Sequence, residues 1–244
     1  MRAPGIVLLL AFLGANVSPV ADGIPFGVGE HFKYEVRVAK MGAKGHGDMW
    51  VAGPEVVRGT QTYVLHFNSS AGFGPFSGSD KTTSWIDPQR MAAMRYEKIE
   101  HHLLASNHDQ VEIYPTQRRW TAADGTSGAT ETDSPLDELS FMYFIRTLPL
   151  MDDSVYVVNR HYDTGRNPET VRVVAHEHLD TKAGPFETIK VEMRVKDPRR
   201  YKGEGLLILN LSDDARRIIV RIESTVPTFG KTVLTLESFT NDQP

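Results

Sequence analysis

Along much of the chain, apolar and polar residues alternate one by one. Phe32, Tyr34, Val36 and Val38 are separated by Lys33, Glu35 and Arg37. Ile189, Val191, Met193 and Val195 alternate with Lys190, Glu192, Arg194 and Lys196, and Tyr63, Leu65 and Phe67 make a third run. Successive side chains of a strand point to opposite faces, so each run predicts a strand with one dry and one wet face. Strands of that kind belong to an antiparallel sheet covered on one side. Further strands are expected near 46–53, 81–87, 92–100, 109–114, 117–122, 154–160, 170–180, 205–212, 217–225 and 231–239. Gly, Pro, Asp and Asn punctuate them at the spacing of all-β chains. The last three form a closing meander. Between the Tyr63–Phe67 run and the run near 81–87, Ala71 to Gly78, with Gly72, Gly74 and Pro75, reads as a mobile, partly apolar loop, either a long hairpin connection or a lid.

One segment leaves this pattern. Ser134-Pro135-Leu136-Asp137-Glu138 offers a capping hydroxyl, a proline at the first helical position and two carboxylates in the first turn. Leu136, Leu139, Met142 and Tyr143 recur at helical spacing, Arg146 sits in the last turn and Pro149 stops the run. A helix from about Pro135 to Thr147 is predicted, and its apolar stripe must lie against something apolar. The expected fold is therefore mainly β: a single curved antiparallel sheet or half-open β-barrel, with one amphipathic helix as partial plug on the concave face.

The amino terminus changes the picture in another way. Arg2 precedes an apolar stretch from Gly5 to Ala15, followed by a short segment of small and polar residues up to Ala21. About 18 to 20 apolar residues are needed to cross a bilayer, so this run suits a secretory signal instead. Residues 1–21 are expected to be a signal peptide cleaved after Ala21 (Ala15 is the other option), and 22–244 a single β-rich domain without an internal linker. No other segment approaches membrane-spanning length. The chain has no Cys, which excludes lipidation at a cleavage-site cysteine and leans towards a bacterial envelope, Gram-negative periplasm or secreted, since exported eukaryotic domains usually use disulfides.

The net charge is −4, and Arg2 is the only charge in the predicted signal. Arginine pairs such as Arg118-Arg119 and Arg216-Arg217 are isolated, so the concentrated basic footprint of a nucleic-acid binder is missing. His176-Glu177-His178 is the most metal-like motif, because residues two apart on a strand share a face. A tight zinc site wants three or four ligands, and His101-His102 and His161 are not linked to the pair by any spacing. An ordinary solvated face is the preferred reading. Asp213 and Asp214 fall between two strands, where turn chemistry explains them. Asp137 and Glu138 are explained by a helix N-terminus. The glycines at 72, 74 and 78 do not sit in a βαβ unit, and there is no Gly-x-Ser-x-Gly or His-Glu-x-x-His. No catalytic, cofactor-binding or metal residue is assigned, and no cofactor is expected.

The chain resembles a bacterial family known only as domain of unknown function 3108, over nearly all of its mature length. The resemblance is carried by Pro25-Phe26-Gly27-Val28-Gly29-Glu30 with Tyr34, by Ser84-Trp85-Ile86-Asp87-Pro88, and by Asp137 to Arg146 (DELSFMYFIR). Gly184-Pro185-Phe186-Glu187-Thr188, Leu211 to Arg217 (LSDDARR) and Phe229-Gly230 complete it. Ile219 departs from the family pattern, standing where a proline is expected at an edge. The resemblance implies export and a curved sheet similar to the half-open barrels of periplasmic lipoprotein carriers. It implies no activity. Two functions follow as expectations: a non-enzymatic carrier for an apolar or lipid-like ligand, or a surface-acting envelope or polysaccharide-related protein, including a cryptic hydrolase. The sequence does not specify an oligomeric state.

Overall fold

The computed structural model describes residues 23–39, 42–73, 76–102, 105–197, 203–226 and 230–240. The predicted signal segment lies outside them. The first wing of the sheet comprises β1 (His31–Val38), β2 (Ala43–Val57), β3 (Thr60–Phe73), β4 (Phe76–Asp87), β5 (Ala92–His102), β6 (Ala105–Tyr114), β7 (Arg119–Ala122) and β8 (Ser127–Ala129). The α-helix among the described residues, α1 (Glu138–Ile145), follows. The second wing comprises β9 (Val155–Val158), β10 (Glu169–Thr181), β11 (Gly184–Lys196), β12 (Glu204–Ser212), β13 (Ile219–Val226) and β14 (Gly230–Thr240).

The fourteen strands among the described residues form one antiparallel sheet, in the order β8-β7-β6-β5-β4-β3-β2-β1-β14-β13-β12-β11-β10-β9. Each wing is a meander of hairpins, and the first and last strands pair at the centre, Tyr34 opposite Leu236 and Val36 opposite Leu234. The two ends of the order, β8 and β9, are not paired to each other, so the curved sheet is not closed. Register shifts at Lys33/Tyr34, Trp85/Ile86 and Asn210/Leu211 mark β-bulges, which bend the strands that carry them. Among the described residues no helix is long and apolar enough to cross a membrane.

The alternation noted in the sequence sets which face is inward. Phe32, Tyr34 and Val36 of β1 join Ile189, Val191 and Met193 of β11 in one buried cluster, and α1 completes it. The helix is shorter than expected and starts later. Asp137, not Ser134, is the N-cap, and Leu136 lies before the helix, bridged to His161. The reason is local: the Leu136 N–H donates to the Arg160 carbonyl and the Pro135 carbonyl accepts from the Ala93 N–H, which ties this stretch to its neighbours in extended form. The apolar contact is also wider than a stripe, because every residue from Leu139 to Ile145 is buried.

Two further expectations are corrected. The segment Ala71 to Gly78 is not a loop, since Ala71 pairs with Gly78, Gly72 with Ser77 and Phe73 with Phe76 in the β3–β4 ladder. Only residues 74 and 75, outside the described residues, connect the strands. Ile219 is not at an edge: it opens β13, between β12 and β14, and is fully buried. Its carbonyl accepts a hydrogen bond from the Tyr34 hydroxyl at 2.9 Å.

Candidate functional site

Ionisable residues concentrate at the two ends of α1. At its start the Asp137 carboxylate accepts from the Leu139 and Ser140 N–H groups, while the Asp137 N–H donates to Ser140 Oγ at 2.8 Å. This reciprocal capping satisfies helix-start donors that would otherwise be buried without partners. Ser84 of β4 donates to the same carboxylate. Next to it, Glu138 accepts from the Tyr96 hydroxyl of β5 and pairs with Arg166, which also pairs with Asp197 just beyond β11. Arg166 thus ties the helix start to the second wing, and Glu138 ties it to β5 of the first.

Burial and charge set the protonation of this cluster. Burial pushes Glu138 up, but Arg166, with Lys98 and His161, outweighs it and holds the carboxyl well below the usual range. Burial lowers His161 to about 4, with Arg166 adding to the effect, so the imidazole is neutral. Burial raises Asp137 to about 6 against the hydrogen bonds it accepts. Glu169, at the start of β10, is pushed up to about 8 by burial, and its Oε2 has no hydrogen-bond partner among the described residues.

A pH dependence follows. The folded state holds the Glu169 proton where the unfolded chain, titrating near 4.5, has lost it. Its contribution to stability therefore falls as pH rises from there towards about 8. His161 acts oppositely: the unfolded chain takes up a proton near 6.5 that the folded state refuses until about 4, so stability falls as pH drops through that window. Glu169→Gln, which keeps the neutral shape, should flatten the alkaline decline and leave stability near pH 5 almost unchanged. Thermal melts of both proteins from pH 5 to 9 test this. Coincident profiles would show that Glu169 is not protonated in the fold.

At the other end of α1, Arg146 is fully buried. Its guanidinium donates to both Glu30 oxygens at 2.6 and 2.8 Å, and to the Pro25 and Arg216 carbonyls at 2.9 and 3.0 Å. Glu30 is buried completely as well. Burial would lower Arg146, yet the Glu30 charge and its hydrogen bonds raise it above the ordinary value. Arg146 is therefore an internal ion-pair partner rather than a solvated cation near the helix dipole. Both ends of α1 are charge clamps suited to holding the plug in place: the Arg146–Glu30 end is closed to solvent, while at the start Arg166 and Asp197 are buried and the Glu138 side chain is 34% exposed.

The accessible chemistry lies elsewhere on the same face. Register carries the inward side of β1 across the first wing: Tyr34 opposite Gly47, Gly47 opposite Ser69, Ser69 opposite Asp80, Asp80 opposite Glu100. One step nearer the helix, Thr82 faces Lys98. Beyond the reach of α1 this inward surface turns polar. His102 Nε2 lies 3.2 Å from Asp80 Oδ1, and Lys98 Nζ lies 3.0 Å from Glu100 Oε1. Along β3 of the same surface, Leu65 is fully buried, Phe67 and Ala71 are partly buried, and Phe73 is 60% exposed. The sequence hid this region, because polar residues on an inward face look like a strand end and the glycines around 72–78 look like a loop.

The motifs picked out in the sequence resolve into ordinary contacts. His176 is bracketed by Asp152 and Asp213 at 2.8 and 3.1 Å, and His178 by Glu187 and Asp180 at 2.7 and 3.4 Å. The carboxylates raise both imidazoles, the hydrogen bond accepted by Asp152 being the largest cause for His176 and that accepted by Glu187 for His178. The two rings therefore serve separate ion pairs. Asp213 and Asp214 lie in the β12–β13 turn, where Asp214 accepts from Ser212 Oγ and the Arg216 N–H. His101 contacts Ser106 Oγ at 3.1 Å, apart from His102. Two shallow cavities of about 470 and 490 Å³ are lined largely by polar residues, Glu35, Lys44 and Lys182 at one, His31, Asp48 and Trp50 at the other. Neither is an apolar groove beside the plug.

Comparison with known structures supports the fold. The chain is similar to a β-barrel-like protein of the domain of unknown function DUF1849 from Brucella abortus, at 9% identity and a TM-score of 0.57, covering 89% of this chain and 99% of that one. Weaker likeness extends to a candidate lipoprotein from Parabacteroides distasonis (10% identity, TM-score 0.32, 89% and 99% covered). A candidate exported protein with a YmcC-like fold from Bacteroides fragilis is similar at the same level (12% identity, TM-score 0.34, 90% and 99% covered). No curated protein matches. The family model described as protein of unknown function, DUF3108, matches residues 33–237, and the chain belongs to that family.

Proposed function

We propose that this protein is an exported, non-enzymatic binding or carrier module that takes an amphipathic, lipid-like ligand on the inner face of its sheet. The observation that carries the reading is the graded apolar track of β3. It leaves the core at Leu65, passes the partly buried Phe67 and Ala71, and ends at the exposed Phe73. An acyl chain laid along it would extend the core outward, and its polar head would meet the charged surface of Lys98 and His102. Binding sites of this kind are mostly apolar with a few placed polar groups. Export, to a Gram-negative periplasm or beyond, rests on the N-terminal segment and the lack of Cys. The hydrolase alternative draws less support: the convergent carboxylates Asp137 and Glu169 are 0% and 4% exposed, closed to a substrate.

Protein purified from its own envelope should begin at Asp22 by intact mass and carry an extractable lipid in native mass spectrometry. Phe73→Asp, at an exposed position, should fold normally and lose that lipid. Wild-type protein free of lipid and unable to take any up from vesicles would remove the proposal, and so would unchanged loading of Phe73→Asp.

A further inference from the structure

We propose that Asp80, Glu100 and His102 form a binding site for a divalent cation of the zinc class on the inner face of the first wing. The inference does not depend on the ligand reading above. Asp80 of β4 and Glu100 of β5 are directly opposed in the ladder, and His102 lies two residues further along β5 on the same face. One donor atom from each lies within 4.8 Å of the other two. Around a tetrahedral zinc ion, with bonds of about 2.0–2.2 Å, neighbouring donors are ~3.4 Å apart. The Asp80–His102 contact of 3.2 Å is already at that spacing, so closing the set needs only small side-chain movements. Two carboxylates and one imidazole are ligands that zinc accepts, and three protein ligands leave a fourth position for water or a bound molecule.

A second observation is that the backbone of β4 leaves room for the ring. Gly78 sits in β4, two residues before Asp80, and its conformation does not require glycine. A Cβ there would stand 3.0 Å from His102 Nδ1 and 3.4 Å from the His101 carbonyl. Glycine in a strand weakens it unless something must approach closely, and here the imidazole does, lying over β4 beside the carboxylate. An exposed ion pair alone contributes little and gives no reason for that accommodation.

Lys98 is the competing cation, 3.0 Å from Glu100. Its directly opposed neighbour on β6 is Asp109, on the same inward surface. Directly opposed residues are within side-chain reach, so Lys98 has a second carboxylate to turn to when Glu100 takes a metal. Glu100 is nearly buried while His102 is exposed, which makes the His102 side the entry.

Titration of metal-free protein with Zn²⁺ alone, followed by calorimetry and thermal melting, tests the proposal. One equivalent should bind and raise the melting temperature to a plateau. His102→Ala and Asp80→Asn should each weaken binding at least ten-fold, comparable to or beyond the roughly 10–100-fold cost of losing a supporting residue at a metal site. Gly78→Ala should weaken it too by displacing the ring. The double variant His176→Ala/His178→Ala should bind as the wild type does. His102 is exposed, so its variant should keep the native circular dichroism even if Asp80→Asn does not fold. Absence of saturable binding, or binding that survives His102→Ala and disappears with the His176/His178 pair, would overturn the assignment.

Discussion

Glu30→Ala should lose about 3–5 kcal/mol of stability, the usual cost of removing one partner of a buried ion pair. Arg146 would then stand fully buried with two backbone carbonyls and no counter-charge. Its guanidinium lies 5.3–5.6 Å from the ring centroids of Phe26, Phe32 and Tyr143, so it cannot swing out to water without unpacking them. Urea unfolding followed by tryptophan fluorescence and circular dichroism would measure the loss. Replacing both members together by apolar residues of similar size should be far milder, since a buried pair contributes little beyond its own desolvation. A single variant no worse than the double would mean that water reaches Arg146 and that this end of the helix is not closed.

Leu139→Ala should cost about 2–5 kcal/mol, the range for emptying a buried leucine position. Leu139 is 2% exposed on a helix with no solvent face, so there is little room for neighbours to relax into water. The same helix packs against β3 and β4 and shares its cluster with β11 to β13, so loosening it should lower cooperativity across both wings. From the sequence alone, Glu138→Ala is expected to cost under about 1 kcal/mol beyond its helix-end effect. The pairing with Arg166 raises that expectation: removing Glu138 leaves Arg166 in a closed position with Asp197 as its remaining counter-charge. If Leu139→Ala proves neutral in urea, α1 is peripheral and the inner face is not defined by it.

The sequence by itself determined the sheet. Period-two alternation at Phe32–Val38 and Ile189–Val195 is a property of the pleat, so class, inward face and antiparallel pairing follow from local order. The helix was legible from its proline, leucine spacing and acidic first turn, although its start moved three residues because Pro135 and Leu136 are drawn into hydrogen bonds with β5 and Arg160. Tertiary structure alone decided what the charged residues do. Glu30 and Arg146 are 116 residues apart, and Arg166 meets Asp197 across 31; no local pattern pairs them. The same holds for Asp80 and His102, whose approach depends on the β4–β5 register and on Gly78, a residue that locally signals a loop. Side-chain direction is set by neighbours in the chain, but the partners waiting there are set by how the wings curl, and that curvature depends on bulges and on the burial of α1.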